Sequence, residues 1–311
     1  MSSRIVVLGA AGRLGYQAAE AFAAAGWMVT SVVRPGSRAR APAGSAVVEA
    51  DALDFALVAA AAQGADVVLH AINPGYTDWP RLALPLAYSA INAAETAGAT
   101  LLFPGNLYNY GSPLPPTIDA STPMRPSSRK GGLRVAMEDR MAEAAERGVR
   151  VIIVRAGDFY GGGRGSWFDL VLAKDIARGR LTYPGPLDLV HEWAFLPDLA
   201  ATLVRLAAVR ETLPPFASLG FAGHAITGRE FTTTIARAAG RKLQVKGMSW
   251  WLIHALRPVV PLCRELSEIA YLWNEPHRIA GSKLAAAIGD IPRTPLDVAV
   301  ARALEDIGAT G

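Results

Sequence analysis

Gly9-Ala10-Ala11-Gly12-Arg13-Leu14-Gly15 is the stretch whose reading decides the fold. The apolar run Ile5-Val6-Val7-Leu8 before it reads as a buried strand, and Gln17 to Ala25 after it reads as a helix. A strand, a glycine turn and a helix start in that order make a dinucleotide-binding crossover. Glycine allows the tight turn and lets the backbone approach a pyrophosphate closely. The helix start then offers free N–H groups and the positive end of the helix dipole to phosphate. Cofactor contacts are therefore expected from Gly9, Gly12, Arg13, Leu14 and Gly15.

The alternation of strand and helix patterns continues outward from this turn. Strands are expected at Trp27–Val33, Ala46–Glu49, Asp66–Ala71, Thr100–Phe103 and Val149–Arg155. Helices are expected at Phe55–Gln63, Leu82–Ala97 and Leu133–Arg147, with Gly26, Gly64 and Gly98 as stops. A Pro-, Ser- and Gly-rich loop fills Gly111 to Gly132. Six strands in this alternation predict an α/β fold, a doubly wound parallel Rossmann sheet. Beyond Gly157 the pattern loosens: Gly161 to Gly165 is a glycine cluster, Trp167–Arg178 looks helical, Trp193–Leu196 is a short strand, and a helix from Pro197-Asp198 ends near Val209. The expected division is a nucleotide domain over 1–160, to which 187–219 returns. A smaller, mostly helical substrate-binding region is then left to 161–186 and 220–311.

Bulk properties narrow the class. The 311 residues are 51% hydrophobic and 19% charged, which supports a packed core and excludes a disordered chain. A net charge of +4 without a basic stripe suits an anionic cofactor and gives no reason to expect nucleic acid. The single cysteine, Cys263, rules out an internal disulfide and is expected as a buried thiol. Met248 to Cys263 is apolar but broken by Arg257, Pro258 and Pro261, too short to span a bilayer. No leader is recognised before Ile5, so a soluble cytoplasmic location is expected. The five histidines show no metal-ligand spacing.

The second strand selects the cofactor. An acidic residue at its end would bind the adenosine ribose of NAD. Here Val33 and Arg34 stand there, with Arg38 and Arg13 near in sequence. A guanidinium binds a 2′-phosphate bidentately, so the pattern predicts NADP over NAD. Asp51 either accepts from the adenine amino group or caps the helix after Asp51-Ala52-Leu53-Asp54. Ala71, and His70 and Asn73 beside it, should lie near the cofactor ribose, although the simpler account of the His70 and Asn73 side chains is that they are satisfied structural polar groups.

With these motifs in place the chain resembles an extended short-chain dehydrogenase/reductase, the superfamily of NAD-dependent epimerases and dehydratases. The glycine turn, Asp51-Ala52-Leu53-Asp54, Gly64 to Ala71, Tyr110-Gly111, Arg155-Ala156-Gly157-Asp158-Phe159-Tyr160-Gly161 and Leu196-Pro197-Asp198-Leu199-Ala200 carry the resemblance from about Arg4 to Leu206. The resemblance implies a serine or threonine and a Tyr-x-x-x-Lys pair, in which the tyrosine moves the proton. This chain departs at all three places, and the matching positions are Asn106, Lys130 and Arg134. Asn106 can still donate to a carbonyl oxygen. Arg134 can hydrogen-bond a ribose but cannot exchange protons. Lys130 can act as general acid or base, and also hold the cofactor, where burial and the charges of Arg129 and Arg134 destabilise its ammonium form; alternatively it is a solvated loop lysine. Tyr108 is the spare proton donor, and Tyr110 is expected to pack.

The resemblance also implies an arginine for a sugar-nucleotide phosphate, and His191 stands at that place. Trp250, Trp251 and Trp273 suggest instead a pocket for an apolar small molecule, or ordinary core packing. Three functions follow as expectations. The first is hydride transfer between NADP(H) and a carbonyl or alcohol on a small, moderately apolar substrate. The second is nucleotide-sugar epimerisation or dehydration. The third is a non-catalytic NADP-sensing regulator. A homodimer is expected only from the resemblance.

Overall fold

The computed structural model describes residues 2–309. In chain order its nucleotide half runs β1 (Arg4–Leu8), α1 (Arg13–Ala24), β2 (Met28–Val33), β3 (Ala46–Glu49), α2 (Phe55–Ala61), β4 (Val67–His70), α3 (Trp79–Ala97), β5 (Thr100–Gly105), β6 (Thr117–Ile118), α4 (Arg129–Glu146) and β7 (Val151–Arg155). The remainder runs β8 (Asp158–Tyr160), β9 (Arg180–Tyr183), β10 (Val190–Phe195), α5 (Leu196–Val209), β11 (Phe216–Gly220), β12 (His224–Thr227), α6 (Gly228–Ala238), β13 (Gln244–Gly247), α7 (Trp250–Leu256), α8 (Pro261–Ser267), α9 (Tyr271–Asn274), β14 (Arg278–Ile279), α10 (Ser282–Ile288) and α11 (Leu296–Asp306).

Seven strands form one parallel sheet in the order β11-β7-β5-β4-β1-β2-β3. The strand order, not the strand direction, reverses at β1, which pairs in parallel with β2 on one side and β4 on the other. Side chains alternate across a strand. Val6 and Leu8 therefore join the core that includes Val58 of α2, Ala87 of α3 and Met141 of α4, while Ile5 and Val7 join the core that includes Phe22 of α1, Leu203 of α5 and Leu284 of α10. Both faces are covered, which is why these strands read as continuous apolar runs.

The sheet has one strand more than six. The addition, β11, is Phe216-Ala217-Ser218-Leu219-Gly220, which pairs with β7 from Phe216↔Val151 to Gly220↔Arg155. Its serine and glycine break the apolar run that marks the other strands. Three helix starts also differ from expectation; α1 begins at Arg13, four residues before Gln17. α3 begins at Trp79, with Pro80 in its first turn where a missing N–H costs nothing. α4 begins at Arg129, because Ser128 caps it by accepting from the Gly131 N–H at 3.1 Å. The expected loop therefore ends early, and Lys130 lies in a first helical turn.

Trp167–Arg178 is not a regular helix. It splits into a wide turn at Phe168–Leu172, closed by Ala173 N–H to Phe168 O at 2.7 Å, and a 3-10 turn at Ile176–Arg178. The Asp169 carboxylate takes the N–H groups of Gly165 and Ser166, which drives the tight start. A second sheet, β12-β10-β8, packs its aromatic side chains Tyr160, Trp193 and Phe195 with Phe168 and Phe231. Cys263 is only half-buried, not a core thiol. No helix among the described residues is long and apolar enough to cross a membrane.

Candidate active site

A cleft of about 610 Å³ opens at the carboxyl ends of β1, β4 and β5. This is the side of the sheet where open parallel folds bind ligands at the point of reversal. Ala11 to Leu14 of the glycine turn line the cleft, and the expected contacts Gly9 and Gly15 shape that turn without lining it. Gly9 has φ +86°, and a Cβ on Gly15 would lie 2.3 Å from the Gly9 carbonyl oxygen. Both positions therefore require glycine. Gly12 caps α1 without a side-chain bond, and the first turn holds no acidic residue. The N–H groups there are left for an anion.

The expected cofactor residues divide. Gly12, Arg13, Leu14 and Ala71 line the cleft. Arg13 donates to the Gly161 carbonyl at 3.3 Å, and burial lowers its pKa against the opposing charge of Asp169. Arg34, Arg38 and Asp51 do not line it. Arg34 is exposed just past β2. Arg38 turns away to Glu49 at 3.6 Å and to the Val47 carbonyl at 3.1 Å. Asp51 accepts from the Leu53 N–H, and Asp54 is the residue that caps α2. Arg40 was not singled out by the sequence, yet it lines the cleft and donates to the Ala11 carbonyl of the glycine turn at 3.3 Å. It belongs to the same arginine cluster, and only the 3-10 turn at Arg38–Arg40 decides which member faces inward.

At the end of β4, His70 is buried, lines the cleft and has no hydrogen-bond partner at either ring nitrogen. Burial, helped by the charge of Arg134, lowers its pKa to about 3, so the imidazole is neutral with one donor and one acceptor. It stacks on Phe103 at 5.4 Å. Unsatisfied buried polar atoms of this kind are rare without a ligand or water. Together with the open helix start, they fit a bound dinucleotide: the turn would hold the pyrophosphate, and His70 a polar group further along. NAD(P) supplies a hydride carrier when bound.

The residues expected to perform the chemistry also divide. Asn106, Tyr108 and Arg134 line the cleft together. The Asn106 side-chain oxygen accepts from the Tyr108 N–H at 3.0 Å, and its backbone carbonyl accepts from Arg155 at 2.8 Å. Arg155 is itself bound by Glu138 of α4 at 2.6 Å, and Glu138 also takes Asn109 at 2.9 Å. A buried ion pair thus anchors the loop that presents Asn106 and Tyr108 (Tyr110 packs beneath the Arg155 guanidinium). Arg134 lies over the rings of Trp79 and Phe103, at 4.9 and 5.1 Å, and donates to the Pro104 carbonyl. Burial lowers its pKa to about 10, so it remains a cation.

Lys130 does not face this cleft. It is almost wholly buried, and its ammonium is bonded to the equally buried Glu265 of α8, with Glu268 at 3.5 Å. Arg129 joins Glu265 at 2.6 Å. The groups facing Lys130 are therefore carboxylates rather than cations; it is not a solvated loop lysine, and it stands behind the cleft wall with its ammonium 5.3 Å over the Tyr76 ring.

Its place beside Tyr108 is taken by Tyr76, from the 3-10 turn Tyr76–Asp78. The two phenol oxygens lie 2.8 Å apart, and both rings line the cleft. Burial pushes the Tyr76 pKa up to about 12 and that of Tyr108 well above its ordinary value of 10. Both phenols hold their protons at neutral pH. Tyr76 lay in a loop with no helical or strand pattern, so nothing in the sequence marked it.

The far wall is formed by Asp158, Trp167, Leu272 and His277. Asp158 accepts from His191 at 2.8 Å, and the His191 ring stacks on Trp273 at 4.3 Å. His277 packs against His191, and burial lowers its pKa to about 3. Of the three tryptophans expected near substrate, Trp273 packs in this core, Trp250 is half-buried, and Trp251 is exposed. Among the described residues no group of His, Cys, Asp and Glu is placed to hold a metal.

Residues 9–170, just over half the chain, match the NAD(P)H-binding family. The chain belongs to that family. This NAD(P)H-binding chain is also 29% identical over 199 residues to a Streptomyces 3-diazoavenalumate denitrifying reductase, a match covering 58% of this chain and 64% of that one. It thus spans less than two thirds of that relative's length. Its fold is similar to UDP-glucose 4-epimerase from Brucella ovis, solved in complex with NAD (TM-score 0.78, 17% identity, 97% of each chain). It is equally similar to a putative epimerase from Burkholderia cenocepacia (TM-score 0.76, 20% identity, 98% of this chain and 97% of that one). The family match bears out the NAD(P)-binding part of the resemblance, and these likenesses of fold bear out its Rossmann architecture.

Proposed function

We propose that this chain is an NADP(H)-dependent reductase acting on a carbonyl of a small, moderately apolar, ring-bearing substrate. The observation that carries the reading is the Tyr76–Tyr108 pair at the cleft wall. Tyr108 donates its phenolic proton to the substrate oxygen as hydride arrives at the carbonyl carbon, and Tyr76 returns a proton to Tyr108 across their hydrogen bond. An alkoxide is far more basic than a phenolate, so the transfer runs downhill even from a phenol of raised pKa. The reverse step would need a phenolate that burial disfavours, so the site suits reduction. Asn106 orients the carbonyl through its side-chain N–H2, and the fixed charge of Arg134 steadies the negative charge left on the tyrosine pair. Tyr76, Trp79, Tyr108 and Trp167 line the cleft with rings. The relative named as a reductase of 3-diazoavenalumate agrees with a reductive role.

The epimerase reading draws support from whole-chain likeness of fold, which function does not follow closely. His191, the expected phosphate contact, is already held by Asp158 and Trp273. The test is a screen of aromatic and aliphatic aldehydes and ketones for NADPH oxidation, run beside thermal-shift measurements with UDP- and dTDP-sugars. Turnover with an apolar carbonyl and no stabilisation by sugar nucleotides is the expected result. Stabilisation by a sugar nucleotide alone would favour the epimerase, and NADPH binding without turnover of any kind would favour the sensor.

The preference for NADP rests on Arg13 and Arg40 in the cleft and on Val33 where a carboxylate would reject a 2′-phosphate. NADPH is expected to bind at least tenfold more tightly than NADH. Arg40→Ala should remove about 1.5–3 kcal/mol of NADPH affinity, the worth of a hydrogen bond to a charged group, and leave NADH nearly unchanged. Fluorescence titration of both cofactors decides it, and equal affinities would sink the argument.

A further inference from the structure

We propose that the segment from Trp250 to Leu262 is a docking surface for a bilayer that contains anionic phospholipid. Two short helices, α7 and α8, carry it, broken by Pro258 and Pro261. Its large apolar side chains point outward: Trp251 is 73% exposed and Val259 75%, with Leu252, Leu256 and Leu262 exposed beside them. Five exposed large apolar residues within twelve positions form the largest such group among the described residues, ahead of Leu53, Phe55 and Leu57.

Charge selects the occupant. From Phe231 to Arg264 there is no carboxylate, while Arg237, Arg241, Lys242, Lys246, Arg257 and Arg264 supply six positive charges. The whole chain carries +4, so the rest of it sums to −2 and the cationic excess lies entirely here. All six are exposed. Lys246 and Arg257, which flank and divide the apolar residues, form no ion pair among the described residues. A second copy of the chain would bring the same positive charge to the contact and repel. An anionic lipid surface supplies the opposite charge and takes up the apolar side chains, with tryptophan at the headgroup boundary.

The position of the segment gives the docking a use. Its first residue, Trp250, donates its indole N–H to the Pro184 carbonyl and lies against Trp167 of the cleft wall. Beyond α8 the chain returns to the cleft at Leu272. From beneath, Glu265 is locked to Lys130. The exposed face thus lies between two points of the cleft lining, where an apolar substrate dissolved in the bilayer would reach the site.

The test is co-sedimentation of the full chain with vesicles of phosphatidylcholine, with and without phosphatidylglycerol, together with the emission shift of Trp251. Binding is expected to be about tenfold or more stronger with phosphatidylglycerol and to weaken with salt. The triple variant Trp251→Ser/Leu252→Ser/Val259→Ser should lose binding by at least about tenfold. Lys246→Gln/Arg257→Gln should lose several-fold, with NADPH affinity unchanged in both. Wild-type protein that ignores both vesicle types overturns the proposal, as does a triple variant that binds like wild type. So does a concentration-dependent dimer that the triple variant abolishes while vesicles remain unbound, since the face would then join copies of the chain.

Discussion

Tyr108→Phe is expected to lower kcat/KM for carbonyl reduction by about 10²–10⁴-fold, the usual worth of a positioned proton donor. The substitution removes one oxygen and leaves a ring of the same shape against Trp79, so the fold should survive. NADPH affinity should stay within a few-fold of wild type, which separates lost chemistry from lost binding. Tyr76→Phe should cost less, because Tyr108 keeps its own proton and loses only its partner at 2.8 Å. The pH profile provides a second, independent readout. Burial holds Tyr76 at about 12, raises Tyr108 well above the ordinary phenol value, and holds His70 down at about 3. None of the three changes charge near neutrality, so the reductive rate should be flat between about pH 6 and 9. A histidine-like inflection near the ordinary imidazole value would assign the proton to another group. Retention of most activity in both phenylalanine variants would remove the pair from the mechanism. The measurement is steady-state NADPH oxidation with any carbonyl that the screen finds.

What could be read from the sequence was what the backbone encodes locally. The turn from Gly9 to Gly15 is legible because its geometry excludes any side chain at Gly15, whatever the rest of the chain does. The parallel sheet is legible because strands buried on both faces must be apolar throughout. The same reasoning misjudged Gly131 and Gly132, which read as part of a loop. They lie in the first turn of α4, and a Cβ on Gly131 would approach the Tyr108 carbonyl oxygen to 2.3 Å. That glycine marks a close approach of helix to loop, a reason that depends on a contact 23 residues away and not on local chain preference. Tyr76 was invisible for a related cause. Its role comes from a partner 32 residues on, and its own turn carries no periodicity. Counting along the resemblance put Asn106, Lys130 and Arg134 into one site. The structure brings Asn106 and Arg134 to the cleft with Tyr108 and leaves Lys130 out, because Glu265 stands 135 positions away and no spacing rule reaches it. Arg34, Arg38 and Arg40 show the limit most simply: three arginines within seven positions were equivalent in sequence, and one turn of 3-10 helix separated them.

Lys130→Met is expected to destabilise the chain by up to about 3–5 kcal/mol, since it removes the buried cation from Glu265 and leaves that carboxylate only the exposed Arg129 and Arg264. Lys130 and Glu265 are each only 1% exposed, so neither charge can be rehydrated without opening α8 from α4. Glu265→Gln should act in the same direction but less strongly, since Glu268 still faces Lys130 and Arg129. The double variant Lys130→Met/Glu265→Leu should recover much of the loss, because it removes both charges and fills the volume with apolar atoms. Acid should mimic the single changes. Burial alone would raise the Glu265 pKa, but the hydrogen bonds and charges of Lys130 and Arg129 outweigh it and hold it below the ordinary 4.5. A carboxylate lowered on folding stabilises fully above its unfolded value and progressively less below it. That contribution is therefore complete above about pH 4.5 and fades as pH falls through the lower folded value, and Glu265→Gln should lack it. Urea unfolding gives the overall stability. Trypsin cleavage after Arg264 reports whether α8 comes loose before the sheet unfolds. The Lys130 ammonium also lies 5.3 Å over the Tyr76 ring, so loosening α8 should displace the proton pair. A Lys130→Met enzyme that keeps wild-type turnover and stability would show that the latch contributes to neither. One that loses turnover while Lys130→Met/Glu265→Leu regains it would identify Lys130 as a positioning residue, set where the proton donor was expected and acting on its successor.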